Sequence, residues 1–254
     1  MENVRSKPYD ASGRISSRFY GAVFGYMFLG LLITAAVSLG WSYFVVSAFA
    51  SVDSDGFVTF SNTGLMWIVG VCVASMVGCY LTSIVNNVYA VKTGKAPWVG
   101  FLLYAIFIGF AFSTFILTGI DFATMGEAFA LTAIAFGAMF LIARFSKANL
   151  AWWSLLGFGL LAAAGMMAMF WWIIYLLNPL SPTNLFFGIV ISAIVLVASL
   201  LITAFDCWKM KQIIASGNDN RNLALFCAFD LYTDFLMVFI RILYLLAFAS
   251  SNRR

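Results

Sequence analysis

The chain has 254 residues, 63% hydrophobic and only 9% charged, with a formal charge of +4. A soluble domain carries about 25% charged residues, so this apolar excess cannot be hidden inside a globule and lipid must be the solvent. The small positive charge does not point to nucleic acid. The absence of histidine excludes His-ligated zinc hydrolases and Ser/His intramembrane proteases, and leaves carboxylates as the groups for any proton sensing. A retinal Schiff base would need a lysine inside a span, and every lysine here sits at a span end or in a loop.

Residues 1–18 form a polar N-terminal segment carrying Arg5, Lys7, Arg14 and Arg18. The apolar run that follows is too long for a signal-peptide core and lacks a clear small-residue cleavage site, so it reads as a retained first span. About 20 residues cross the hydrocarbon core. Seven segments qualify: 19–48, 64–91, 98–120, 124–146, 152–177, 184–208 and 222–249. Polar stretches punctuate them (SVDSDG, KTGKAP, Asp121, RFSKAN, NPLSPTN and ASGNDNRN), and all four prolines fall outside span interiors. Broken helices of the kind secondary transporters use are therefore not signalled. The predicted fold is an all-α membrane bundle of seven transmembrane helices, one domain over 19–249 with a short tail at 250–254.

Basic residues alternate in sidedness. Lys92, Lys95, Arg144, Lys147, Lys209, Lys211 and Arg221 fall on the same side as the N-terminal cluster. Positive-inside reasoning puts that side in the cytoplasm, and seven crossings put the C-terminus outside. Arg253 and Arg254 oppose this, and a re-entrant seventh segment that returns the tail to the cytoplasm stays open. Tryptophans fall toward span ends, as an interfacial belt requires. Small-residue ladders at Gly21/Gly25 and Gly70/Ala74/Gly78 suit close helix packing within the chain. Cys72, Cys79, Cys207 and Cys227 form no CxxC pair and read as small buried hydrophobes.

The last two spans carry the chemistry. Asp230 and Asp234 are four residues apart and share a helix face. Arg241 lies two turns further on that face, roughly 10 Å along the axis. A charge near the bilayer centre costs roughly 3 to 15 kcal/mol, so such groups turn inward and pair. The seventh span is thus expected to be central, with Arg241 as the candidate counter-charge. The short turn before it makes the sixth span its antiparallel neighbour, which brings Asp206 toward the Asp230/Asp234 face. The sixth span is expected to continue as a wet extension through Lys209 and Lys211. Clustered carboxylates in low dielectric cannot all ionise, so the group shares a proton as a coupled unit. Protonated, the acids latch the two helices. Deprotonated, they repel each other or take a hard cation such as Ca²⁺. The alternative is a buried Asp–Arg pair that only fixes packing. Asp121 and Glu127 are expected to be solvated at span ends, and Asn86 and Asn87 to be ordinary interfacial residues.

The run AFDCWKMKQII, a polar turn, then ALFCAFDLYTDFLMVFIRIL resembles the Bax inhibitor-1 family, whose Tyr-x-Asp-Phe motif is matched by Tyr232, Asp234 and Phe235. The segment EAFALTAIAFGAMFLIARFSKANL is similar to that family's fourth helix and basic turn. The resemblance is strongest over 124–245. It implies a bundle around helix 7 and a pH-sensitive Ca²⁺ leak channel latched by two aspartates, here Asp206 and Asp234, with family members also described as cell-death suppressors and partners of membrane proteins such as proteases. This chain departs from the family in lacking a basic residue in its second span before Lys92, in the position of Arg241, and in carrying Asp230 where the family is usually uncharged.

Two functions follow as expectations. One is a pH-sensing cation channel, with Ca²⁺ as permeant ion and transient ligand of Asp206 and Asp234. The other is an interaction protein regulating other membrane proteins, with the acids serving only packing. A proton-coupled transporter ranks below both. No enzyme is expected, since no nucleophile–base set or metal triad can be assembled, and no cofactor. The expected partners are the bilayer and cations, with other membrane proteins as candidates. The expected location is a bacterial inner membrane.

Overall fold

The computed structural model describes residues 12–52, 58–93, 98–146, 149–177, 182–216 and 221–251. Arg5, Lys7, Lys95, Lys147, Arg253 and Arg254, on which part of the sidedness argument rests, lie outside the described residues, as does the side chain of Asn87.

Seven long helices account for nearly all of it: α1 (Ser12–Phe49), α2 (Asn62–Thr93), α3 (Trp98–Leu117), α4 (Phe122–Phe145), α5 (Ala151–Leu177), α6 (Pro182–Ala215) and α7 (Arg221–Ser251). All seven are long and apolar enough to cross a membrane. The expected all-α, seven-span bundle is therefore what the chain forms. One feature was not expected. The first loop is a small antiparallel hairpin of β1 (Ala50–Val52) and β2 (Val58–Phe60), with Ser51 opposite Thr59.

Helix ends follow local chemistry. At the end of α3, Gly119 takes a left-handed φ of 81°. The N–H of Gly119 donates to the Ile116 carbonyl and that of Ile120 to the Phe115 carbonyl. These two bonds close the helix as a Schellman turn, which only glycine adopts without strain. α6 runs past the expected end of its span to Ala215. The polar extension through Lys209 and Lys211 is thus continuous helix.

The core decides which helix is central. In its most apolar window α7 is 61% buried, against 11% for α2 and for α5. α7 packs against α1, α4 and α6, while α5 flanks α6 and α2 flanks α3. Most close approaches fall at glycines outside the predicted ladders. A Cβ on Gly109 would meet Val37 and the Thr34 carbonyl, and one on Gly157 would meet Ile202 and the Ala198 carbonyl. Gly21, Gly25 and Gly70 have open space where a Cβ would be, and only Gly78 meets a neighbour, Phe107. The ladder at Gly21/Gly25 therefore makes no close helix contact within the chain. Residues on one side of α1 and α2 face no partner helix among the described residues, so small-residue spacing alone did not locate the contacts.

Candidate functional site between the last two helices

α6 and α7 run antiparallel, and their polar residues meet in register. The Ser199 hydroxyl lies 4.0 Å from the Met237 sulfur. One turn along, Thr203 and Asp206 lie beside Asp234. At the next turn Lys209 Nζ sits 3.6 Å from Asp230 Oδ2. Residue numbers rise on α6 as they fall on α7, as the short connecting turn requires. Ser199, Thr203 and Asp206 share one α6 face because they are spaced by four and three.

Asp234 is the most enclosed of the three acids, only 9% exposed. Its carboxyl faces that of Asp206. Its Oδ2 is buried with no hydrogen-bond partner among the described residues. An orphaned buried acceptor costs about 1–3 kcal/mol, so it is an unusual feature for packing alone to retain. Thr203, fully buried, gives its own proton to the Ser199 carbonyl at 2.8 Å.

Asp230 is wetter. It and Lys209 keep 26% and 41% of their side chains exposed, and Lys209 also lies 5.4 Å above the Phe226 ring. The cation facing the acids is therefore Lys209 from the α6 extension. Arg241, the expected counter-charge, forms no ion pair with the aspartates among the described residues. Counting turns along α7 put Arg241 on the acidic stripe, but a residue two turns away is out of reach, whereas α6 delivers a lysine directly opposite Asp230.

Tyr232 belongs to a different site. Two residues from Asp234 on a helix is about 200° of rotation, and Tyr232 faces α1 and α3. It is fully buried, with Phe101 and Tyr104 in edge contact at 5.6 and 6.1 Å. Its hydroxyl lies 2.5 Å from Thr34 Oγ1, and Thr34 donates to the Ala105 carbonyl at 3.2 Å. Nothing in the sequence marks Thr34, a lone threonine in an apolar span. Asn86, expected at the interface, is buried, and a Cβ on Gly100 would collide with it. Asp121 and Glu127 are exposed, as expected. Among the described residues no group of three or more Asp, Glu, Cys or His is arranged to hold a metal ion.

Basic groups gather at the Asp230 end. Lys211 Nζ donates to the carbonyls of Arg144 and Ser146, each at 3.0 Å. Arg221 Nε donates to the Tyr26 hydroxyl at 3.0 Å.

The fold and site together define a multi-pass helical membrane protein whose buried acids lie between its last two spans and are met by a lysine at one end. The chain belongs to the Bax inhibitor-1 family: the family model described as inhibitor of apoptosis-promoting Bax1 matches residues 16–252. It is also similar to the uncharacterized protein YrjE of Lactococcus lactis subsp. lactis (strain IL1403), 28% identical over 242 residues, which cover 92% of each chain. No solved structure matches the chain.

Proposed function

We propose that the protein is a pH-sensitive cation leak channel, with Ca²⁺ as permeant ion, gated by a proton shared between Asp206 and Asp234. The observation that carries this reading is the pairing of the two carboxyls across the α6–α7 contact, one of them with an unpartnered buried oxygen. Two carboxyls hydrogen-bond to each other only if a proton lies between them. At about 4 Å and an effective dielectric near 20, two bare carboxylates repel by about 4 kcal/mol. Losing the proton therefore turns a latch into a wedge. The freed oxygens are the hard ligands that Ca²⁺ takes, in a site with two carboxylates and water rather than a closed protein cage. Lys209 and Asp230 form the wet mouth of this path. The Ca²⁺ leak activity linked to the family supports the same reading.

On this reading the protein is a conduit, not an enzyme, and needs no cofactor. The basic end holding Lys209, Lys211, Arg144 and Arg221 faces the cytoplasm, which puts the N-terminus there. The membrane is then the inner membrane of a bacterium. The test is Ca²⁺ flux into proteoliposomes across pH, comparing wild type with Asp206→Asn and Asp234→Asn. Wild-type flux is expected to rise as pH rises, and either amide variant to lose that dependence. Equal, pH-insensitive flux from all three removes the proposal.

A further inference from the structure

The opposite side of α7 carries a feature that the acidic site does not use. α1 and α4 touch at one end, where Phe140 lies edge-on to Tyr20 and Phe24, each ring 5.5 Å away. Toward the hairpin end the two helices part and leave a crevice of about 320 Å³ over α3 and α7. Its floor is aromatic. Phe112 stacks on Phe239 at 5.6 Å, and Phe129 meets Phe235 at 5.4 Å. The rim is open, since Leu39 of α1 and Phe122 of α4 remain 50% and 63% exposed. Gly126 lines the crevice, and the space where its Cβ would be is open.

We infer that this crevice is a binding site for one acyl chain of a membrane lipid. It opens between α1 and α4, both apolar enough to span a membrane, so its inner part meets hydrocarbon, while its outer end lies beside the exposed Asp121 and Glu127. Its two hydroxyls are those of Thr34 and Ser38, too few for water, which needs two to four polar partners. The Thr34 hydroxyl at its edge is already engaged with Tyr232 and the Ala105 carbonyl. Left empty, a void this size would forfeit dispersion contacts along its whole lining. A flexible chain entering between α1 and α4 restores them without breaking a hydrogen bond. This inference does not depend on the channel reading, because it concerns the other face of α7 and invokes no ion.

The full chain is reconstituted in phosphatidylcholine vesicles containing phosphatidylglycerol with a diazirine near the end of one acyl chain. Adducts are mapped after photolysis by peptide mass spectrometry. Adducts are expected to concentrate on segments 31–39 and 122–129 relative to the lipid-facing surface of α2 around Met66 and Met76. Gly126→Phe, which fills the crevice, should reduce the adducts in those segments severalfold and leave those on α2 unchanged. Ala35→Phe fills it from the α1 side and serves if Gly126→Phe does not fold. Labelling of the two segments no denser than on α2, and unmoved by either substitution, overturns the inference. So does modification of a Ser38→Cys thiol by a membrane-impermeant charged reagent, which would make the crevice aqueous.

Discussion

The two faces of α7 are built on opposite principles. Toward α6 it presents Asp230 and Asp234, one half wet and one deeply enclosed, and the enclosed acid keeps an orphaned oxygen. Toward α1 and α3 it presents Tyr232, whose single polar atom is satisfied by Thr34 and whose ring is boxed by Phe101 and Tyr104. The first face leaves a buried acceptor without a partner. The second fixes the helix through packed rings and a satisfied hydroxyl. A central helix can tolerate a strained polar seam when its other side is anchored by well-packed aromatics.

Substitutions can break that contrast. The largest effect on stability is expected from Tyr232→Ala, which leaves an aromatic-sized cavity in the anchored face. About 3–5 kcal/mol should be lost, read as a large fall in thermal unfolding midpoint in detergent, while Asp234→Asn leaves the midpoint nearly unchanged. The reverse ranking would mean that the acidic seam, not the aromatic box, holds the bundle together. Thr34→Val keeps shape but strands the Tyr232 hydroxyl. A loss of about 1–3 kcal/mol is expected, and Tyr232→Phe in the same chain should recover most of it. The smallest effect belongs to Lys209 and Asp230. Both side chains keep partial access to solvent, which screens their attraction, so a double-mutant cycle with Lys209→Met and Asp230→Asn should give a coupling below about 1 kcal/mol. A coupling several times larger would place that pair inside the low-dielectric seam.

Much of this was readable from residue order alone. Seven apolar runs with proline-free interiors leave little choice of architecture, and charges on one stripe of the seventh required it to be central. The short turn after Lys211 made α6 and α7 antiparallel, which brought Asp206 to Asp234. What sequence could not supply was lateral information. Thr34 and Tyr232 are 198 residues apart, and no local pattern links them. Lys209 looked like an ornament of the wet extension because its depth relative to Asp230 depends on how far α6 slides along α7. Arg241 was favoured because spacing along one helix is easy to count, while distance across two is not. The Gly21/Gly25 ladder failed for a related reason. Spacing says which residues share a face but not whether that face meets helix or lipid.

The grip of Lys211 on the Arg144 and Ser146 carbonyls has a mechanical corollary. The ammonium caps the negative end of the α4 dipole, and in doing so it rivets the overhang of α6 to the foot of its neighbour. Any rearrangement that parts Asp206 from Asp234 by shifting α6 must tear out that rivet or haul α4 along. At this end of the bundle α4 and α6 therefore stand as one post beside the anchored α7.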